Sequence, residues 1–340
     1  MLLFDNNVNL IDSIDKIFFI EKDKTTMRKL ILSILFFCGV LYYGQKNQVC
    51  FTFDDLPVAA LSFKSNDFQK SVTVKILTAL KKHNIPAIGF VNEIKLYDNN
   101  QPDTSEINLL KMWLDAGLDL GNHTFSHMDY HKVNTKKYFD DILKGEKITK
   151  PLMASYGKLI RYFRHPYLHA GETKEKTDSL NIFLKRIGYI EAPVTIDNSD
   201  WIFSSAYDSA MVKKDTSLMK SIGTTYIDYM ERKLKYFEKQ SNKLFGRNIR
   251  QILLIHANAI NSDYLNELAI MYESNNYKFV SISKALEDKA YLTSIVVFNR
   301  NWGISWLDRW ALSQGKKGEF FMDEPTTPEN IMKLAKITSE

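Results

Sequence analysis

Between Val49 and Ile282 short apolar runs alternate with longer stretches of helical periodicity, and this alternation restricts the chain to a parallel α/β architecture. "VCFTF" (49–53), "AIGFV" (87–91), "LDLGNH" (118–123), "LIRYF" (159–163), "RQILLIH" (250–256) and "FVSI" (279–282) read as strands, and "YIEAPVTID" (189–197) as one strand or two. Between them lie helical stretches. One is capped by Asn66 and carries Val72, Ile76, Ala79 and Leu80 on one face. A second, from Ser105, closes at Gly117. A third runs from Thr135 to Gly157 with an expected kink at Pro151. Further helices are expected over 172–186, 217–245 and 263–274. Both an open doubly wound sheet and a closed barrel fit this series. No GxGxxG follows the first strand, which removes support for a dinucleotide fold. A barrel demands that the chemistry sit where strands end and loops begin.

Apolar residues make up 45% and charged residues 25%, enough for a substantial buried core. The net charge of +5 comes from scattered lysines, with neither the run nor the face that nucleic-acid binding needs. Two cysteines, Cys38 and Cys50, provide neither a disulfide framework nor a thiolate metal site. From Met27 the chain reads "MRKLILSILFFCGVLYYGQ", two basic residues and then an apolar run from Leu30 to Tyr43. That is the layout of a secretory signal peptide, and the run is short of the roughly 20 residues of a permanent span. The expected organisation is a leader over 1–26, untranslated or disordered, and a signal peptide over 27–44. One domain follows over 48–295, then a C-terminal packing segment and loosely held tail over 296–340. An uncleaved N-terminal anchor is the alternative. In either case the remainder of the chain is placed outside the cytoplasm, in the periplasm or secreted, with no stable membrane span after cleavage and Cys50 as a lone buried thiol.

Five polar clusters follow the expected strands. Asp54 and Asp55 end the first; adjacent strand residues point to opposite sides, so both can serve one site only if the chain turns, and Leu56-Pro57 supplies a break. His123 and His127, at i and i+4, would stack on one helical face and could share an ion, although a lone pair of this kind is more often a surface coincidence. His131 would be rotated about 80° further round and is not expected to join them. HExxH is absent, so a zinc protease with a glutamate base is not indicated. With Asp55 the histidines would form a two-histidine, one-carboxylate set with open positions. "RYFRHPYL" supplies Arg161, Arg164, His165, Pro166 and Tyr167; "TIDNSDW" supplies Asp197, Asp200 and Trp201; and His256 closes "LLIH".

In order, TFDD, HTxxH, RxFRxP[YF], DxSDW and LxH are five motifs by which the chain resembles the polysaccharide deacetylase family (the NodB-homology domain, carbohydrate esterase family 4) over roughly 49–291. The resemblance implies a distorted (β/α)7-8 barrel, here with a helical insertion before the last catalytic strand, and a metal-dependent hydrolase that removes acetyl groups from sugars. By position it implies Asp55, His123 and His127 as ligands of a divalent metal, usually Zn2+. Asp54 falls at the general base and Arg164 at its orienting arginine, with the Tyr167 backbone N–H as an oxyanion donor. His256 falls at the general acid and Asp200 at its orienting carboxylate; Pro166 and Trp201 fall beside the substrate. A bell-shaped pH profile would follow from the acid–base pair.

Leu168 departs from the glycine often found after the aromatic residue, and the stretch 217–245 is longer than expected there. That stretch is expected to wall the cleft and favour short or end-on substrates. The implied partner is an N-acetylated glycan or oligosaccharide such as chitooligosaccharide or peptidoglycan. The rival readings are an O-acetyl ester or non-sugar amide hydrolase, an Fe(II) oxygenase with the same ligand set, and a non-catalytic glycan binder.

Overall fold

The computed structural model describes residues 46–340; the expected leader, signal peptide and Cys38 lie outside the described residues. β1 (Asn47–Leu56) leads into α1 (Asn66–Lys82) and β2 (Ile88–Val91). A small hairpin, β3 (Tyr97–Asp98) and β4 (Gln101–Pro102), precedes α2 (Thr104–Asp115) and β5 (Asp119–Asn122). Then come α3 (Thr135–Lys144), α4 (Thr149–Ser155), β6 (Tyr162–Phe163), α5 (Lys174–Arg186) and β7 (Ile190–Glu191). Next, α6 (Asp200–Val212) and α7 (Thr216–Phe245) run in succession before β8 (Gln251–His256), α8 (Ala259–Ser274), β9 (Tyr277–Phe279) and α9 (Ile282–Leu286). The last helices are α10 (Trp306–Ser313) and α11 (Glu329–Ala335).

The main sheet runs β7-β6-β5-β2-β1-β8, all neighbours parallel, with β9 also paired to the start of β1. It curls until its two ends meet through one stretch of chain. β7 pairs with β6, and a few residues later Thr195 and Ile196 lie beside β8, with both backbone N–H groups donating to the Ile252 carbonyl at 2.9 and 3.0 Å. The result is the distorted barrel that the alternation and the resemblance imply. Along β1 the side chains alternate: Val49, Phe51 and Phe53 join the cluster under the helices. Cys50 packs on the other face with Ile88, Phe90, Ala192 and Ile252. Thr52 and Asp54 continue that second face toward the C-terminal end of the strand, so the same period-2 pattern that fills the barrel delivers Asp54 to its mouth. Cys50 is fully buried and unpaired among the described residues.

Several local details differ from the sequence reading. α1 is capped by Ser65, whose side chain accepts from the Phe68 N–H, one residue before Asn66. The third helical stretch breaks before Pro151, between α3 and α4. A Cβ on Gly145 would lie 2.6 Å from the Thr124 carbonyl carbon, so the chain passes against the loop after β5 where only glycine fits. Pro151 then sits in the first turn of α4, where a missing N–H costs nothing. "LIRYF" yields only the two residues of β6, and Ser281 of "FVSI" caps α9 instead of extending β9.

One face of α7 packs into the core. Tyr226, Tyr229, Met230 and Phe237 are fully buried on it, and the Tyr229 hydroxyl accepts from the Ser199 N–H at 3.0 Å. It braces the loop before α6 from behind. The C-terminal residues are docked, contrary to the loosely held tail expected. α11 packs on α6 with Ile331 buried, and the Glu340 carboxylate accepts from Ser199 Oγ at 3.0 Å and Thr327 N–H at 2.9 Å. Among the described residues, no helix is long and apolar enough to cross a membrane. Replacing Ile331 by Ala should lower unfolding stability by about 2–5 kcal/mol in urea titration, as for other large-to-small core changes. A midpoint indistinguishable from the unsubstituted protein would restore the loose tail.

Candidate active site

Asp54 and Asp55 reach one site because β1 does not end as a regular strand. Its register against β2 shifts between Phe53 and Leu56, and Asp55 adopts φ 65, in the left-handed region. The extra residue turns Asp55 toward the side that Asp54 already faces. Their environments then differ. Asp54 is 2% exposed, and burial pushes its carboxyl up to about 6, with Arg164 restraining the rise. Burial also works against ionised Asp55, yet Lys95, His127 and His123 together hold it well below the usual carboxylate range. Lys95 donates to the Asp55 carbonyl at 2.8 Å. The sequence reading missed Lys95, which lies 40 residues from Asp55 on a one-turn helix with no motif around it.

His123 and His127 are brought together by a loop, correcting the expected helical face. β5 stops at Asn122, whose side-chain carbonyl accepts from the Thr124 N–H at 2.7 Å, and both Thr124 and His127 have positive φ. The Ser126 N–H and hydroxyl are held by the Asp141 carboxylate, which pins the loop to α3. His123 Nε2 lies 3.8 Å and His127 Nε2 3.7 Å from Asp55 Oδ1, an oxygen that is buried and has no hydrogen-bond partner. These separations exceed hydrogen bonds. They approach the roughly 3.4 Å expected between two atoms each about 2.1 Å from one tetrahedral ion. His123 Nδ1–H donates to the Arg164 carbonyl at 2.9 Å, leaving the Nε2 lone pair facing Asp55. Burial and the neighbouring His127 drive His123 well below its ordinary pKa, which keeps it neutral, as a ligand must be. The donor set therefore fits a divalent cation.

His131 belongs elsewhere, stacked on His169 with ring centroids 3.7 Å apart and planes 3° from parallel, while Asp129 accepts from His169 Nδ1 at 2.7 Å. These three also cluster, but parallel imidazoles this close aim their in-plane lone pairs side by side, away from any common point.

Arg164 is fully buried. It donates from Nη1 to both Asp54 oxygens at 3.3 and 3.4 Å, from Nη2 to Thr52 Oγ1 at 2.9 Å and from Nε to the Ala192 carbonyl at 2.8 Å. Its guanidinium also lies over the Phe90 ring at 4.7 Å. Across the β1–β8 ladder Asp54 is the register partner of His256. His256 Nδ1 is 2.7 Å from Asp200 Oδ1, and Asp200 Oδ2 accepts from the His256 N–H at 2.8 Å and the Asn261 side chain at 2.7 Å. Burial opposes the imidazolium, but the Asp200 carboxylate outweighs it and raises His256 to about 9. Asn261, and Asn258 at 3.2 Å, were not singled out from sequence; an NxxN at a helix start reads as ordinary capping, and Asn258 does cap α8.

Tyr167 and Leu168 both take positive φ, 57 and 54, so the conformation that glycine would favour is kept by a leucine. The C-terminal segment holds it there: Arg309 Nη2 donates to the Leu168 carbonyl at 2.8 Å, and Gly303 lies so close that a Cβ would sit 2.1 Å from the Tyr167 carbonyl oxygen. The Tyr167 ring meets His127 edge-on at 4.6 Å. Trp201 is partly exposed beside Asp200. Pro166 is buried and shapes the turn that presents Tyr167. The structure thus brings Asp54, Asp55, His123, His127, Arg164, Tyr167, Asp200 and His256 into one region.

Several curated proteins are similar to parts of the chain. A peptidoglycan-N-acetylglucosamine deacetylase of Bacillus cereus is 36% identical over 116 residues, 34% of this chain and 36% of that protein. A chitooligosaccharide deacetylase of Bradyrhizobium is 30% identical over 119 residues, 35% and 45% of the two chains. The chain spans less than half the length of these two relatives. Among solved structures, the peptidoglycan deacetylase PdaC of Bacillus subtilis has a TM-score of 0.46 at 18% identity over 73% of this chain and 94% of that one. The family 4 carbohydrate esterase of Streptomyces lividans scores 0.43 at 18% identity over 71% and 96%. Residues 43–182, which include Asp54, Asp55, His123, His127 and Arg164, match the sequence model described as Polysaccharide deacetylase.

Proposed function

We propose that this protein is a metal-dependent hydrolase that removes N-acetyl groups from a glycan, an N-acetylhexosamine oligomer or peptidoglycan. The observation that carries the reading is the Asp54–His256 pair. The two are register partners on adjacent strands, each is held by a buried partner, and both lie beside the Asp55–His123–His127 set. A glycan binder needs neither a restrained carboxylate nor a carboxylate-held imidazole, and an oxygenase needs only the ligand set.

Asp55, His123 and His127 would hold the cation, and zinc suits two imidazoles and a carboxylate with open positions. Once bound, the cation supplies Lewis-acid polarisation of the acetyl carbonyl and of water. Asp54, ionised and positioned by Arg164, accepts the proton of the attacking water. The Tyr167 backbone N–H is assigned to the developing oxyanion, where one such donor is typically worth roughly 3 kcal/mol. His256, charged through Asp200, donates a proton to the departing amine as the C–N bond breaks, giving acetate and a free amino sugar. The leader-like run from Met27 supports action outside the cytoplasm.

Two measurements test this reading. Zinc-loaded protein should release acetate from N-acetylglucosamine oligomers in preference to O-acetylated xylan. Asp54→Asn should lower that rate about 10²–10⁴-fold, the usual contribution of a general base. Acetate from xylan alone would move the assignment to an esterase, and a rate indifferent to Asp54 would sink it.

The second concerns pH. Because Asp200 raises His256 to about 9, activity should persist into mildly alkaline solution and fall as His256 loses its proton. Asp200→Asn removes the carboxylate that opposes burial, so the alkaline limb of the kcat profile should move to lower pH. An alkaline limb unmoved by Asp200→Asn would separate it from His256.

A further inference from the structure

Three large aromatic side chains stand exposed at the mouth of the site: Tyr167 at 43%, Trp201 at 37% and Trp302 at 50%. Trp302 belongs to none of the five motifs; it comes from the segment that joins the last part of the barrel to α10. Its ring stacks on Trp201 with centroids 6.0 Å apart and planes 30° from parallel. Trp201 follows directly on Asp200, the residue that holds His256. On the other side, the next residue, Gly303, lies against the Tyr167 carbonyl, and the Tyr167 ring touches His127. Trp302 is thus fixed between the start of α6, which carries the Asp200 partner of His256, and the turn beside the cation ligands.

The placement is built rather than incidental. Gly303 leaves no room for a side chain against the Tyr167–Leu168 turn, Arg309 ties the same segment to the Leu168 carbonyl, and Trp306 and Trp310 anchor it in the core at 2% and 1% exposure. Against that anchoring, leaving a neighbouring indole half in water beside a second indole needs an explanation, since apolar surface of this size at the rim of a polar cleft marks a binding surface. The rest of the cleft offers carboxylates, imidazoles and a backbone turn, which suit the polar edge of a sugar and its acetyl group. A pyranose also has an apolar face of C–H bonds, and the exposed indole surface of the stacked pair offers it a rigid partner.

We propose that Trp302, together with Trp201, forms a saccharide subsite that holds the sugar ring next to the one being deacetylated, making Trp302 a determinant of substrate length. This rests on the deacetylase reading above. It places control of substrate length in the C-terminal segment.

The test compares kcat/KM for acetate release from the N-acetylglucosamine monomer and its tetramer in full-length, zinc-loaded protein. The tetramer should be the better substrate. Trp302→Ala should reduce the tetramer-to-monomer ratio by about tenfold, chiefly through KM, which is the scale of one aromatic contact. Trp302→Phe should keep part of it. An active enzyme whose ratio is unchanged in Trp302→Ala overturns the subsite while leaving the deacetylase reading intact. If the unsubstituted protein releases no acetate from either sugar, that reading fails, and calorimetric titration with the tetramer then decides the subsite. Weaker binding by Trp302→Ala supports it, whereas equal binding, or none by either protein, overturns it.

Discussion

The Arg164 guanidinium and the Asp54 carboxylate meet inside the barrel with almost no access to water, and much of the site's geometry depends on that pair. Removing both charges from solvent is costly, and the cost is offset only when every remaining donor finds a partner. Arg164 offsets part of that cost through Thr52 and the Ala192 carbonyl, and Phe90 lies beneath its face. The same residue also works through its backbone: its N–H donates to the Asn122 carbonyl at 3.0 Å and its carbonyl takes His123 Nδ1–H. One buried arginine therefore orients the carboxylate, sets the tautomer of a histidine and ties β5, β6 and the chain after β7 to the end of β1.

Two carboxylates that are neighbours in sequence are driven apart chemically by what surrounds them. Asp54 is surrounded by the barrel interior and is raised; Asp55, turned by its left-handed backbone toward Lys95 and two imidazoles, is lowered. The first is suited to exchanging a proton and the second to staying ionised against a cation. His256 is moved in the opposite direction from His123 for an equally local reason. At His123 burial and the neighbouring His127 outweigh Asp55, whereas at His256 the hydrogen-bonded Asp200 carboxylate outweighs burial.

Much of this could be read from the sequence. Apolar runs ending in Asp54–Asp55, Asn122–His123 and His256 are short, contiguous signals, and a parallel barrel collects such ends at one face. What could not be read was set by contacts between distant segments. The HTFSH stretch has helical spacing, yet Asn122 bonding to Thr124 and Gly145 pressing on the Thr124–Phe125 backbone hold it as a loop. Lys95, Asn258 and Asn261 act through hydrogen bonds to distant residues that leave no periodic trace. Leu168 looks like a departure from the motif until Arg309, 141 residues on, is seen to hold its carbonyl. The tryptophan-rich stretch packs as its composition suggests, with Trp306 and Trp310 buried, whereas the end of the chain looked loose because its anchors, Ile331 and Glu340, are scattered single residues.

The central claim is that Asp55, His123 and His127 form one cation site built by the bulged end of β1 and the loop after β5. Elemental analysis of the purified, zinc-loaded and extensively dialysed protein measures this directly. The expected result is one divalent ion per chain, lost on Asp55→Asn and on His127→Ala while circular dichroism shows the fold retained. Full retention of the ion by both variants, or no ion in the unsubstituted protein, would contradict it.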